Sequence, residues 1–284
     1  MSAKRDDEVR RAYWAEQMEL GYAAVEKVLA FEVRECGEGF ASLRDAAAAA
    51  EVEMQFSSSK IAGLLDRVFF MRESLAAKVV AIGRAMNARG WILKIEDGYR
   101  SLEMQGQLVR KPEVFDAILR KCIWENGGTL PPVEMVSRRA IVMIANIPKV
   151  GTHMSGSAID ISVFSRDDGR EIWRGAPYLE VSEITPMRSP FIEPAALRNR
   201  LEIEAMMATQ GFIAFPFEFW HFNQDDALGH VIGGQPAPAR FGAVDWDLRT
   251  NRVTPCGDPL RPLNPLPVIA AEIDAAMRRA TTRS

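Results

Sequence analysis

Apolar residues recur at helical spacing through much of the first ninety residues of the chain. A first stripe has steps of three or four residues and comprises Trp14, Met18, Tyr22, Val25 and Leu29. A second stripe runs from Val68 to Met86, and Gly90 follows it as a stop signal. Because this spacing places each set on one face of an α-helix, we expect two amphipathic helices that pack on a core.

After residue 90 the pattern changes to short runs that are typical of β-strands. The segment WILKIED leads into a turn at Asp97-Gly98. The segment AIDISVF alternates strictly, so Ala158, Asp160 and Ser162 share one face of the predicted strand. The segment FIAFPFEFWHF predicts a further strand, bent at Pro216.

Prolines predict where the later helices begin. Pro112, the pair Pro131-Pro132 and Pro194 each precede residues with helical character. Seven of the sixteen prolines lie between Pro236 and Pro267, which favours an extended segment that wraps the domain and ends in one helix. The order of helix, strands, helices and strand indicates an α+β fold rather than regular βαβ alternation.

Composition excludes several classes of function. The formal net charge of −3 gives no basic face for nucleic acid and no attraction to an anionic membrane surface. No apolar run reaches the ~18 residues that a transmembrane helix needs, and the charged N-terminus lacks a signal-peptide core. Cys36, Cys122 and Cys256 form no CxxC pair and are predicted to be reduced thiols. These features together predict a soluble cytoplasmic protein.

Chemistry-bearing residues are concentrated in two short segments. Phosphate-binding loops, the dinucleotide fingerprint, the GxSxG elbow and the HExxH helix are all missing from the sequence. Two of the three histidines lie near carboxylates, His153 before Asp160 and His221 after Glu218. Imidazole nitrogen and carboxylate oxygen suit Zn²⁺, and two His with one Asp leave a fourth position for water.

The spacing allows these side chains to meet only if the backbone turns. Asp160 shares its strand face with small side chains, and Gly156 permits a turn that brings His153 back toward it. Glu218 and His221 are three residues apart, so a straight strand would place them on opposite faces. Either a bend or a single helical turn would bring both to one site, and the sequence does not decide between these.

Three segments together resemble the zinc D-alanyl-D-alanine dipeptidases and D,D-carboxypeptidases, the family of the vancomycin-resistance dipeptidase type. That family has a DxYR segment followed closely by a glutamine, then SxHxxGxAxD, then ExWH. The matching segments here are Asp97-Gly-Tyr-Arg100 with Gln105, Gly151-Thr-His153-Met-Ser-Gly156-Ser-Ala158-Ile-Asp160, and Glu218-Phe-Trp220-His221. The likeness covers about residues 65–225, and the helical front and the proline-rich tail lie outside it.

The resemblance implies a role for each matching residue. His153, Asp160 and His221 would hold zinc, Glu218 would be the general base, and Arg100 would be the cationic partner of the transition state. Zinc polarises the scissile carbonyl and acidifies water, while the carboxylate accepts the proton. The implied fold is a small antiparallel sheet flanked by helices.

The sequence does not fix the roles of some other residues near these motifs. Asp97 is either a turn residue or a partner that orients Arg100, and His230 matches no motif and is predicted to lie in a loop. The family also uses an acidic residue to receive the free amino group of its substrate. Glu180 and Glu183 are the candidates for that role here, and Glu180 is the one we choose.

Two family positions are occupied differently in this chain. The serine that precedes the first histidine by two residues is Gly151, and the proline after the family arginine is Ser101. Since that serine helps to hold the substrate in the family, the exact substrate preference is open.

The leading hypothesis is a zinc metallopeptidase that hydrolyses a short peptide bond, such as that of a D-Ala-D-Ala-like dipeptide. A D,D-carboxypeptidase acting on cell-wall peptide stems and a non-catalytic zinc-binding module are the alternatives. We expect a helical extension over residues 1–62, a catalytic domain over 63–230 and a wrapping segment over 231–284. The expected partner is a small peptide, with no nucleic acid and no membrane.

Overall fold

The computed structural model describes residues 3–61 and 63–283. The helices are α1 (Ala3–Ala30), α2 (Leu43–Ala49), α3 (Glu73–Ala88), α4 (Leu102–Arg110), α5 (Pro112–Glu125), α6 (Val133–Ile144), α7 (Pro194–Ala208), α8 (Ala227–Gly233) and α9 (Leu266–Arg283). The strands are β1 (Phe40–Ser42), β2 (Met54–Phe56), β3 (Phe70–Arg72), β4 (Trp91–Asp97), β5 (Ala158–Ser165), β6 (Ile213–Ala214), β7 (His221–Asn223), β8 (Val244–Asp247) and β9 (Arg252–Pro255).

A five-stranded sheet with the order β2-β4-β5-β7-β6 forms the centre of the molecule. The pairs β4–β5, β5–β7 and β7–β6 are antiparallel, whereas β2 pairs with β4 in parallel at the edge of the sheet. One face of β5 presents Ile159, Ile161 and Val163 to the main apolar core. The predicted α+β class and the small antiparallel sheet with flanking helices are confirmed, and β2 adds a parallel edge to that sheet.

Helix α1 packs against the rest of the protein through the predicted stripe. Trp14, Met18 and Val25 are all at most 3% exposed. They share an apolar cluster with Phe215 and Phe217, which lie between β6 and β7. The N-terminal helical segment is therefore part of the packed fold and approaches the loop that carries Glu218.

The second predicted helix begins later than its stripe. Val68 forms an isolated β-bridge with Tyr99, and Met71 pairs with Ala41 in the β1–β3 ladder. Helix α3 starts only at Glu73. The prediction of a helix from Val68 was wrong because hydrogen bonds to neighbouring strands, which the local pattern does not reveal, hold these residues extended.

The segment FIAFPFEFWHF forms two short antiparallel strands and not one bent strand. Strand β6 ends at Ala214, and β7 starts at His221. A hydrogen bond of 3.0 Å from the backbone N–H of Phe215 to the carbonyl of His221 joins the two ends of the connection. Pro216, the predicted bend, lies in this connection and donates no hydrogen bond of its own.

The tail contains α8, the β8–β9 hairpin and α9. His230 lies in α8 and not in a loop, because Asp226 caps this helix by accepting a 2.8 Å hydrogen bond from the N–H of Gly229. Ile269 and Ile273 of α9 pack into an apolar cluster with residues of α5 and α6. No helix in the described ranges is long and apolar enough to cross a membrane. The division of the chain into extension, catalytic domain and wrapping segment stays a prediction.

Candidate active site

Three side chains predicted as metal ligands converge at one end of the sheet. One ring nitrogen each from His153 and His221 and a carboxylate oxygen of Asp160 all lie within 4.8 Å of one another. All three side chains are buried. The far-separated segments that carry them in the sequence are thus brought to a single point.

The sheet register explains how Asp160 and His221 meet. Asp160 pairs with His221 across the β5–β7 ladder, and it pairs with Asp97 across the β4–β5 ladder. A register shift between Ile95 and Asp97 brings Asp97 opposite Asp160. The three residues therefore form one row across neighbouring strands.

His153 reaches the same row from a short 3₁₀ turn, Thr152–Ser155, that precedes β5. Gly156 ends this turn with a φ of +70°, and a Cβ there would lie 2.1 Å from the ring of Phe40. Only glycine fits both the left-handed backbone and the close approach. This residue therefore turns the chain from His153 into the strand that carries Asp160.

Outer groups hold both imidazoles in place. Nδ1 of His153 donates to the carbonyl of Gly98 at 2.7 Å, and Nε2 faces Oδ1 of Asp160 at 3.2 Å. Nδ1 of His221 lies 2.9 Å from the same oxygen, and its Nε2 lies 2.9 Å from Oγ1 of Thr152. Histidine ligands of metals commonly have such an outer partner on the second nitrogen, and the residues present fit a metal site.

Electrostatics also favour the protonation states that metal binding needs. Burial alone would raise the pKa of Asp160, but the neighbouring imidazoles of His153 and His221 outweigh it and hold that pKa well below its usual range. Burial lowers the pKa of His221, although Asp160 partly opposes this. A carboxylate and a neutral imidazole are the forms that bind a divalent cation.

Arg100 is held beside this cluster by two carboxylates and an amide. Its Nε donates to Oδ2 of Asp97 at 2.8 Å, its Nη1 to Oε1 of Gln105 at 3.2 Å, and its Nη2 to Oδ2 of Asp160 at 3.4 Å. Burial would lower the pKa of Arg100, but Asp97 and Asp160 reverse this and raise it, so the guanidinium stays charged. Of the two interpretations of Asp97, the structure shows the orienting partner.

Glu218 lines the same cavity as the three clustered side chains and Arg100. The N–H of His221 donates to the carbonyl of Glu218 at 3.2 Å, so a tight turn resolves their three-residue spacing. Burial, and then the charge of Asp160, raise the pKa of the Glu218 carboxyl well above its usual range, while Arg100 opposes them. A raised carboxyl pKa in a cavity is typical of a group that exchanges protons.

Two residues of the site were missed by the sequence analysis. Tyr178 donates a hydrogen bond from its hydroxyl to Oδ2 of Asp160 at 2.8 Å. Nη1 of Arg67 lies 2.8 Å from Oδ2 of Asp97, and both of these side chains are almost fully buried. Tyr178 stands two residues before Glu180 in an acidic segment that the sequence singles out, whereas no local pattern marks Arg67.

The two acidic candidates between the motifs have different surroundings. Glu180 lines the cavity and is half-buried. Glu183 accepts from Nζ of Lys121 at 2.7 Å and from Nη1 of Arg10 at 3.0 Å, so its carboxylate ties the loop to α5 and α1. Glu180 is therefore the candidate whose position is compatible with substrate contact.

The structure also accounts for the two departures from the family pattern. A Cβ at Gly151 would lie 2.0 Å from Cε of Met154, so the Met154 side chain fills the space that a serine would need. Ser101 caps helix α4, because its hydroxyl accepts from the N–H of Met104 at 3.2 Å. Both replacements are therefore locally consistent with the fold.

The clustered side chains, Arg100 and Glu218 open into one cavity of 460 Å³. Its polar lining includes Arg100, His153, Asp160, Tyr178, Glu218 and His221. This volume lies in the range of small-molecule sites, and pockets with convergent polar groups and perturbed pKa values are typical of active sites.

Comparison with known proteins finds similarity to one family of peptidases. Residues 131–239 match the peptidase family model described as D-ala-D-ala dipeptidase. The D-alanyl-D-alanine dipeptidase of Escherichia coli is 33% identical over 90 residues, which cover 31% of this chain and 46% of that protein. The D-alanyl-D-alanine dipeptidase of Enterococcus faecium is 23% identical over 170 residues, which cover 59% of this chain and 75% of that protein.

The alignment with a solved structure of LdcB, described as an LD-carboxypeptidase, covers 67% of this chain and 73% of the LdcB chain. The two sequences are 17% identical over it, and the TM-score is 0.34. The match to the Escherichia coli relative spans less than half of that protein. The family match includes His153, Asp160, Glu218 and His221, the residues that meet in the cavity. Residues 131–239, which carry the clustered side chains, are thus similar to the D-ala-D-ala dipeptidase family of peptidases.

Proposed function

We propose that this protein is a zinc-dependent peptidase that hydrolyses a short peptide bond, as in a D-Ala-D-Ala-like dipeptide. One observation carries the proposal: the buried cluster of His153, Asp160 and His221 opens into the same cavity as Glu218 and Arg100. A structural metal site needs neither a proton-exchanging carboxyl nor a guanidinium held in place beside it. The cytoplasmic location stays a prediction.

The donor set of the cluster favours zinc. Two imidazole nitrogens and one carboxylate oxygen are ligand types found in catalytic zinc sites, which keep a further position open. When bound, zinc supplies a Lewis acid that polarises a carbonyl and makes water more acidic. The protein's own residues supply the proton transfer and the remaining charge.

Glu218 is the proposed general base. Its carboxylate accepts a proton from the attacking water and passes it to the nitrogen of the departing amine, so it ends the cycle as it began. The desolvated position beside Asp160 raises its pKa, which makes it a stronger proton acceptor than an exposed glutamate. Such a positioned base contributes about 10²- to 10⁴-fold in rate.

Arg100 is the proposed stabiliser of negative charge on the carbonyl oxygen as the tetrahedral state forms. Asp97 and Gln105 fix its guanidinium before substrate arrives, so little reorganisation is needed during the reaction. Glu180, which lines the same cavity, is the proposed contact for the free amino group of the substrate. A charged amine beside that carboxylate would set the register of the dipeptide.

Hydrolysis of D-Ala-D-Ala by the zinc-loaded protein tests the proposal, with Glu218→Gln as the decisive variant. We expect the variant to bind zinc as the parent does and to lose ~10²- to 10⁴-fold in kcat. Glu193→Gln, at an exposed position before α7 and outside the cavity, is the matched control and should keep full activity. Full activity of Glu218→Gln, or no hydrolysis of any short peptide by the zinc-loaded parent, would reject the proposal.

A parallel assay separates the two peptidase alternatives. Free D-Ala-D-Ala and its N-acetylated form differ only in the amino group that Glu180 would receive. We expect the parent to hydrolyse the free dipeptide in preference to the acetylated one. Glu180→Gln should weaken this preference by raising KM for the free dipeptide. Preference for the acetylated form would favour a carboxypeptidase acting on longer stems.

A further inference from the structure

The cavity extends well beyond the polar groups that the proposed reaction uses. The ends of the sheet strands and the residues near Tyr178 supply its polar wall. Exposed side chains, among them Ser59, Lys60 and Glu113, line its mouth. The remaining wall is mostly apolar and comes from α1, α5, α6, the segment after α6 and the connection between β6 and β7.

We call this part the apolar chamber and define it by six lining residues. They are buried, belong to one apolar cluster and comprise Trp14, Met18, Val25, Val142, Val150 and Phe217. Three of the six come from helix α1, which lies outside the matched family segment at residues 131–239. Half of the residues that define the chamber thus lie outside the segment that the family model matches.

The apolar chamber is continuous with the catalytic end of the cavity. Phe217 directly precedes Glu218, and the ring of Phe215 contacts both the ring of Phe217 at 5.3 Å and the ring of His221 at 5.7 Å between centroids. A group bound against Phe217 would therefore lie beside the residues that act on the scissile bond.

Helix α1 is fixed close to this wall. A Cβ at Gly21 would lie 2.7 Å from Cγ1 of Val142 on α6, so the glycine permits a close approach of the two helices. Trp14 is anchored at its polar edge, because Nε1 donates to Oε2 of Glu125 at 3.1 Å. These contacts fix α1 against α6 and α5, so the chamber wall is part of the packed fold.

We propose that the apolar chamber binds a large apolar side chain of the substrate, so that the preferred substrates are dipeptides with one long aliphatic or aromatic residue. This inference rests on the proposed function and specifies its substrate class. Two alanine methyl groups would fill little of the 460 Å³ cavity, whereas a longer side chain would transfer its own apolar surface from water to the apolar wall. The chamber walls offer no charged partner to a polar side chain, which would lose its hydrogen bonds on entry.

A series of D-dipeptides tests this with the zinc-loaded protein. One alanine of D-Ala-D-Ala is extended stepwise to 2-aminobutyrate, norvaline and norleucine, at each position in turn. We expect kcat/KM to rise by about fourfold for each methylene at one of the two positions, the factor that corresponds to burial of a methylene group. A fall in kcat/KM with chain length at both positions would overturn the inference.

A variant localises the effect to the chamber side of the cavity. Ala117 lines the cavity on α5 and is half-buried, so Ala117→Leu narrows the available space. It should lower kcat/KM for the norleucine peptide at least tenfold more than for D-Ala-D-Ala. Ala46→Leu, at a half-buried helical alanine of α2 outside the cavity, is the matched control and should leave the ratio unchanged. An unchanged ratio in Ala117→Leu as well would contradict the proposal.

Binding separates failure of this inference from failure of the proposed function. Calorimetry on zinc-loaded Glu218→Gln should show tighter binding of the norleucine peptide than of D-Ala-D-Ala, with a more negative heat-capacity change. Equal or weaker binding would overturn the inference even if both peptides are hydrolysed by the parent. Tighter binding without any hydrolysis by the parent would reject only the peptidase proposal.

Discussion

Tyr178 donates a 2.8 Å hydrogen bond to Oδ2 of Asp160, the carboxylate oxygen opposite the one that both imidazoles face. The same oxygen accepts from Nη2 of Arg100 at 3.4 Å. One oxygen of Asp160 is thereby held by outer donors while the other is directed toward His153 and His221. Burial, with the charge of Asp160, raises the pKa of Tyr178 well above its usual range, so the phenol stays a donor.

Loss of this hydroxyl should weaken metal binding without unfolding the protein. For Tyr178→Phe we expect zinc affinity to fall by about 10- to 100-fold, the usual effect of losing an outer partner of a metal ligand. Competition with a chromophoric chelator measures the change. Tyr22→Phe, on α1 and outside the cavity lining, is the control for removing a phenolic hydroxyl. Equal zinc affinity in Tyr178→Phe and the parent would show that the hydrogen bond does not support the site.

The side chain of Arg200 is hydrogen-bonded to the loop that carries Tyr178. The buried guanidinium donates to the carbonyls of Arg174 at 2.6 Å, Pro186 at 2.8 Å and Ile184 at 2.9 Å. It also lies 4.0 Å from the ring centroid of Phe219, the neighbour of Glu218. Because one side chain satisfies three loop carbonyls, its removal leaves several buried acceptors without a donor.

Arg200→Met should therefore lower the free energy of unfolding by about 3 kcal/mol or more, as expected when several buried acceptors lose their donors. Urea denaturation measures this. Arg200→Lys should rescue little of it, because one ammonium does not reproduce the planar fork of donors. Arg198→Met, exposed on the same helix, should change stability by less than about 0.5 kcal/mol. Arg200→Met with the stability of the parent would refute this account of the loop.

The ion pairs of Glu183 predict a pH-dependent part of stability. Burial alone would raise the pKa of Glu183, but its bonds with Lys121 and Arg10 outweigh burial and lower that pKa. A carboxyl whose folded pKa is lowered stabilises the fold above its unfolded pKa and loses this contribution as the pH falls through its folded pKa.

Glu183→Gln should accordingly cost about 2 kcal/mol near pH 7, the range for hydrogen bonds to charged groups. The difference from the parent should shrink as the pH is lowered below about 4, near the unfolded pKa of glutamate. Unfolding free energies measured at both pH values test this. Glu8→Gln, exposed on α1, serves as the control. A difference that stays constant or grows with acid would contradict the assigned sign.

The sequence predicted those parts of the fold that local patterns determine. Strict alternation placed Asp160 on the polar face of β5, and Pro194 correctly marks the start of α7. The error at Val68 arose because extended pairing with distant residues overrode a helical stripe. Burial of Met71 is the same in a strand as in a helix, so the apolar spacing could not distinguish them.

The site was predictable where its residues lie in short motifs and not where it depends on contacts across the fold. The turn between Glu218 and His221 was left open because either a bend or a helical turn would meet the spacing. Arg67 reaches Asp97 across thirty positions of the sequence, and Tyr178 reaches Asp160 from an irregular loop. Such contacts follow from tertiary packing and leave no periodic signal.

The central claim is that His153, Asp160 and His221 together bind one divalent ion. Zinc titration of the metal-stripped protein tests this claim most directly. Calorimetry with elemental analysis should give one equivalent of tightly bound zinc for the parent and for Glu218→Gln. His221→Ala should lose this binding, whereas His230→Ala, whose ring lies outside the cluster, should keep it. No zinc bound by the folded parent, or one equivalent retained at equal affinity by His221→Ala, would contradict the account.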